Sequence, residues 1–148
     1  MVVGVAGASG FVGRNLLESR PPGVHIRGLS RSERRSEDGI EWVAADLFSY
    51  QSTLRALEGV DVAVYLVHSM LPSTRLFQGS FEDTDLLLAD NFSRACVATG
   101  VKRIIYLGGL IPEGKISTHL ESRREVENVF VASGIPTPVL RAGMVVGH

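Results

Sequence analysis

The chain holds a single cysteine, Cys96, which excludes an internal disulfide framework and a cysteine-built zinc site, so a reducing compartment fits best and no metal is expected. Its flanks, "SRACVATG", read as ordinary helix. No window approaches the roughly 20 consecutive apolar residues of a membrane span. The amino terminus "MVVGVAGASG" lacks the basic flank and the longer apolar core of a signal peptide, so a cytoplasmic protein with no membrane partner is expected. Charge of one sign is missing too: 15 Lys and Arg against 16 Asp and Glu leave a net charge of −1, with no basic stripe. Nucleic acid is therefore not an expected partner. Internal repeats, low-complexity tracts and interdomain linkers are absent, and 148 residues with 45% hydrophobic content make one domain, residues 1–148, with a sizeable core.

What is present is an alternation of short β-rich runs and longer helical patterns. The runs are 2–6, 24–29, 40–45, 60–67, 102–108 and 136–143, several of them nearly continuous in apolar residues, as parallel strands covered on both faces should be. Helical patterns fall at 11–20, 50–58, 80–99 and 118–133. The last opens with Thr118 and Glu121 at capping-box spacing and stops at Gly134, before Pro136. This alternation predicts an α/β fold, a doubly wound parallel sheet of the Rossmann type with right-handed crossovers. The most polar stretch, "SRSERRSEDG" (30–39), is either a solvated loop or one facing a ligand.

Three glycines at spacing three, Gly7, Gly10 and Gly13 in "GASGFVG", follow the first strand and open the first helix. In that setting Gly7 permits the tight turn, Gly10 lets the backbone approach a pyrophosphate, and Gly13 lets the helix pack closely on the sheet. The pyrophosphate would lie on N–H groups around Ser9, Gly10, Phe11 and Val12, where the helix dipole also favours an anion. A glycine triplet alone also suits a plain turn; its place at the first βα turn is what points to a dinucleotide.

The spacing GxxGxxG, followed in order by "GLSRS", "ADL", "VYLVHS", "GVKRIIYLGGL" and "VLRAGMVVG", resembles the short-chain dehydrogenase/reductase superfamily over nearly the whole chain. It looks most like the extended and atypical branches, which include nucleoside-diphosphate-sugar epimerase-like, isoflavone-reductase-like and NmrA-like proteins.

Rossmann sites that prefer NAD place an acid at the end of the second strand. Here that place holds Ser30 and Arg31, and an arginine suits the 2′-phosphate of NADP, with Ser30 and Ser32 as further donors. One charged hydrogen bond contributes about 1.5 to 3 kcal/mol. NADP(H) is thus expected in preference to NAD(H), without excluding NAD(H). The alternative for Arg31 is a solvated basic loop, and Arg34 and Arg35 stay undecided. The resemblance implies that Asp46 and Leu47 lie beside the adenine, although Asp46 also suits a simple turn.

Ligands of open α/β sheets bind beyond the carboxyl ends of the strands. The groups there are Leu66, Val67 and His68, then Gly108 and Gly109, then Ala142 and Gly143, which by resemblance line the nicotinamide and its ribose. Active short-chain reductases carry Tyr-x-x-x-Lys on the helix after the fifth strand. No tyrosine in this chain is followed four residues later by lysine. The matching place reads "HLESR", with His119 at the tyrosine position and Arg123 at the lysine position. Both suit an acid or base with a partner that steadies a ribose or a substrate anion, and both also suit a solvated mixed-charge helix face.

The resemblance implies an NADP-dependent oxidoreductase or epimerase-like enzyme acting on an unidentified small molecule. Its relatives continue past the "LRAG" strand into a substrate lobe, so the chain is expected to be the amino-terminal part of a longer protein. The alternative is a non-catalytic sensor or assembly protein with a regulatory protein partner, since NmrA-like regulators and an accessory subunit of respiratory complex I also lack the usual triad. By the same resemblance helices 80–99 and 118–133 form a homodimer face.

Overall fold

The computed structural model describes residues 1–36, 39–68 and 81–147. Among these residues ten elements follow in order, strands and helices alternating except that β3 follows β2 directly: β1 (Val2–Ala6), α1 (Phe11–Glu18), β2 (His25–Ser30), β3 (Ile40–Ala44), α2 (Tyr50–Leu57), β4 (Val62–Tyr65), α3 (Phe81–Thr99), β5 (Arg103–Gly109), α4 (Thr118–Ala132) and β6 (Val139–Ala142). All six strands pair in parallel in the order β3-β2-β1-β4-β5-β6. The expected Rossmann fold is therefore present. Residue 80, the expected first residue of the third helix, lies outside the described residues.

Alternation along each strand sends side chains to two cores. Val5, Ile26 and Val64 meet Ala8 and Leu17 under α1. On the other face Ala6, Leu29, Ala63 and Tyr65 meet Leu57 of α2, Phe92 and Cys96 of α3, and Val126 and Phe130 of α4. Four rings hold this second core: Tyr65 lies 4.9 Å from both Phe92 and Phe130, and Tyr106 lies 5.4 Å from Phe130. Such tilted pairs add about 0.5 to 1.5 kcal/mol each beyond the area they bury. Burial also pushes the Cys96 thiol up to about 12, so it packs as an inert apolar group.

Several boundaries differ from the sequence expectation, three of them for evident local reasons. The expected strand 136–143 is narrowed to Val139–Ala142 because Pro136 and Pro138 have no N–H to donate, although their carbonyls still accept from Ile104 and Tyr106. The cap of α4 is Ser117 rather than Thr118: its side chain accepts from the Leu120 N–H, which leaves Thr118 as the first helical residue. The first helix ends at Glu18 because the Ser19 hydroxyl turns back to the Asn15 carbonyl ahead of Pro21. None of the helices among the described residues is long and apolar enough to cross a membrane.

The sheet order reverses beside β1, which has β2 on one side and β4 on the other. Helix α1 covers one face, while α2, α3 and α4 pack on the other. A crevice opens at the carboxyl end of such a switch point.

Candidate dinucleotide site

The turn from β1 into α1 is built around atoms that leave no room for side chains. Gly7 has φ +85°, and a Cβ on it would come 3.1 Å from the backbone of Leu66. The loops leaving β1 and β4 therefore touch. A Cβ on Gly13 would come 2.6 Å from both the α-carbon and the carbonyl oxygen of Ala8, and closer still to the Gly7 carbonyl. The close approach expected at Gly13 is thus to the turn's own backbone rather than to the sheet. Gly10 differs, because its missing Cβ would meet only the Gly7 carbonyl, at 3.3 Å, and otherwise faces open space.

Gly10 is the N-cap of α1 and supplies no side-chain hydrogen bond to it. The caps of α2 and α4, by contrast, are closed by Ser49 and Ser117. The first-turn N–H groups of α1 are left without a side-chain acceptor, with Ser9, Gly10 and Phe11 exposed and Val12 half-buried around them. A pyrophosphate fits this cradle.

On the β2 side Ser30 is buried, and its hydroxyl accepts from Arg34 Nε at 3.2 Å. The Arg34 guanidinium lies over Trp42, 5.0 Å from the ring centroid. Trp42 in turn covers Gly28, where a Cβ would come 2.8 Å from the indole. Arg34 is therefore held in place, whereas Arg31 is exposed and has no hydrogen bond or ion pair among the described residues. The register that sets Gly28 opposite Trp42 was the available signal for this stack.

Asp46 forms a turn in which its carboxylate accepts from the Phe48 N–H at 3.0 Å. The next two carbonyls, of Leu47 and Phe48, both accept from the Asn91 amide, at 3.0 and 3.1 Å. Asn91 is buried on α3, and sequence reasoning passed over it because an asparagine inside a helix carries no signal of the distant loop it holds.

At the far end, Leu66, Val67 and His68 leave β4 beside the end of β5, where Gly108 and Gly109 pair with Arg141 and Ala142 of β6, ahead of Gly143. His68 Nε2 donates to the Leu107 carbonyl at 3.1 Å. A carbonyl only accepts, so the ring proton is on Nε2 and the lone pair on Nδ1. Burial, with the nearby Arg123 charge, lowers the His68 pKa to about 4 against the opposing pull of that hydrogen bond, so the ring is neutral at pH 7. Arg123 reaches over Gly109: a Cβ there would lie 3.3 Å from Arg123 Nη1 and 2.6 Å from a Leu120 methyl. Arg123 thus joins the strand ends, while His119, four residues before it, is exposed. Tyr65 and Tyr106 are buried, and the Tyr106 hydroxyl donates to the Arg123 carbonyl.

A separate cleft of about 510 Å³ lies on the outer face of the helices, lined by Tyr50, Arg94, Val97 and Val129 among others. It is far from the glycine turn along the chain and shares no residue with it. The carboxyl ends of the strands, which carry the open amides of α1 and, farther along the sheet, the Arg123 guanidinium and the His68 imidazole, are the better site on chemical grounds.

Residues 7–143 match the profile of the NAD(P)H-binding family. The chain is 31% identical over 108 residues to the auxiliary protein GraX of Staphylococcus aureus, a match covering 71% of this chain and 35% of that protein. Among solved structures it is similar to UDP-N-acetylglucosamine 4-epimerase from Bacillus cereus, with TM-score 0.73 and 21% identity over 95% of this chain and 55% of the other. It is likewise similar to the triphenylmethane reductase of Citrobacter sp. complexed with NADP(H), with TM-score 0.74 and 20% identity over 97% and 50%. The chain therefore spans about a third of the curated relative and about half of these structures.

Proposed function

Since this chain belongs to the NAD(P)H-binding family, we propose that it is the cofactor-binding part of an oxidoreductase or epimerase-like enzyme of the atypical short-chain dehydrogenase/reductase branch, with NADP(H) preferred. The observation that carries this reading is the uncapped amino terminus of α1 behind a turn that admits no side chain at Gly7 or Gly13. The pyrophosphate would lie on the amides around Ser9 to Val12, and the 2′-phosphate would be met by Arg31, beside the already ordered Arg34. The nicotinamide end would lie along Leu66, Val67, His68, Gly108, Gly109, Ala142 and Gly143. When bound, the cofactor supplies hydride transfer, so this chain's own task is orientation and charge. Arg123 serves as the fixed cation, and His119 is the remaining titratable group in the family's tyrosine position.

Calorimetric titration with NADPH and NADH tests this. Tighter binding of NADPH, reduced tenfold or more by Arg31→Ala with NADH little changed, is the expected result. Equal binding of both cofactors would remove the NADP preference, and binding of neither would remove the whole reading.

A second reading has its own support: GraX is named an auxiliary protein. In that reading NADP(H) binding biases a regulatory partner's equilibrium. Consumption of NADPH with a panel of carbonyl or enone compounds favours the enzyme; cofactor-dependent partner binding without turnover favours the sensor.

A further inference from the structure

Among the described residues three arginines are half-buried, Arg20, Arg27 and Arg123. Arg20 donates to the Leu17 carbonyl, and Arg27 pairs with Glu41 at 3.0 Å and donates to the Ala56 carbonyl. The Arg123 guanidinium has neither a carboxylate partner nor a hydrogen-bond acceptor among the described residues. Withdrawing a guanidinium partly from water without a counter-charge is costly, so its place in the fold calls for an anion.

Its surroundings suit one. The absence of a side chain at Gly109 lets the guanidinium lie against the end of β5, since a Cβ there would stand only 3.3 Å from Nη1, so an anion would meet the guanidinium on the side turned away from Gly109. His68 lies within electrostatic reach and is neutral, so it adds no competing charge. Neither anion of a dinucleotide is expected here. The pyrophosphate cradle is at the end of β1, the 2′-phosphate site is beyond β2, and β5 lies two strands from β1 in the opposite direction, about 10 Å away.

We propose that Arg123, over Gly109 and beside His68, binds a carboxylate or phosphate group of the reacting substrate, so that this domain serves an anionic carbonyl or alcohol compound. The proposal rests on the dinucleotide reading above. Arg123 here is a binding residue that orients the substrate, and its charge reports on occupancy, because an anion that neutralises it removes the main charge acting on His68. The other charged groups nearby act on the adjoining Tyr106: Asp85 from α3 and Glu127 from α4.

The test is nuclear magnetic resonance titration of the His68 ring in the full-length protein with acetate and with inorganic phosphate as probes, free and saturated with NADPH. The expected result is a rise in the His68 midpoint from about 4 with one or both probes, persisting with NADPH bound. The probe that acts tells carboxylate from phosphate. Arg123→Gln should raise the midpoint by itself and abolish the probe response, and Arg123→Lys should retain it. Calorimetry with the same probes at pH 7 reads the site without the acid limb, with about a tenfold loss expected in Arg123→Gln. No probe response by either method would overturn the proposal. So would a response that disappears when NADPH is bound, because Arg123 would then belong to the cofactor. A probe response in a protein that binds no NADPH would sink the dinucleotide reading and leave an anion site without a redox partner.

Discussion

The α-carbon of Gly13 faces Ala8 so closely that a methyl group on it would come within 2.6 Å of the Ala8 α-carbon and carbonyl oxygen. The glycine holds a helix against the turn that precedes it, and the neighbouring Gly10 has no such duty. Gly13→Ala should therefore destabilise the fold, by about 1 to 3 kcal/mol as expected of overpacking, and weaken NADPH binding with it. Gly10→Ala should cost less stability than Gly13→Ala while weakening NADPH binding, because the added methyl would project towards the proposed pyrophosphate position. Thermal denaturation and calorimetry of the two variants separate these effects. Equal loss of stability in both would contradict the division of labour.

Trp42 gives Arg34 its position, so the selectivity of the site should depend on a residue that touches no phosphate. Trp42→Leu is expected to reduce NADPH affinity several-fold with NADH affinity little changed, through release of a cation–π contact of about 0.5 to 1 kcal/mol. Arg31→Ala should have the larger effect, about tenfold to a hundredfold. Competitive binding of the two cofactors to each variant gives the ratio.

Asn91 joins α3 to the loop after β3 through two carbonyls. Asn91→Leu leaves both without their donor in a part-buried setting and should cost about 1 kcal/mol, read by urea denaturation. An unchanged transition midpoint would mean that water replaces the amide without loss.

His68 makes stability depend on pH in a defined direction. Its folded pKa of about 4 lies below the ordinary histidine value of 6.5, so between these limits the unfolded chain binds the proton and the folded chain does not. The contribution is complete above pH 6.5, declines as pH falls, and is gone below about 4. It amounts to up to about 3 kcal/mol. In His68→Gln, whose amide nitrogen can still donate to Leu107, the part of the acid slope between pH 6.5 and 4 due to this group should vanish. A slope identical to that of the parent protein would assign it to other residues.

Much of this architecture is written locally in the chain. Runs of apolar residues near 2–6, 40–45 and 102–108 became parallel strands because a strand covered on both faces needs apolar groups at consecutive positions. The glycine triplet was legible because a strand, a turn without side chains and a helix start occur within a dozen residues. Cap chemistry was less clear: Ser117, Thr118 and Glu121 offer two frames, and only backbone geometry chose Ser117. Asp46 suited a turn from its residue type, and its carboxylate does accept from the Phe48 N–H.

Local pattern was enough for the fold class and for the glycine turn between β1 and α1, since these follow from periodicity and from conformations that favour glycine. Tertiary structure alone decided that Trp42 carries Arg34, that Asn91 holds the loop at Leu47 and Phe48, and that Arg123 reaches Gly109 while His119 stays exposed. Those contacts join residues 8 to 44 positions apart. Such distances leave no trace in local pattern, because they depend on how helices and strands are stacked once the core has closed.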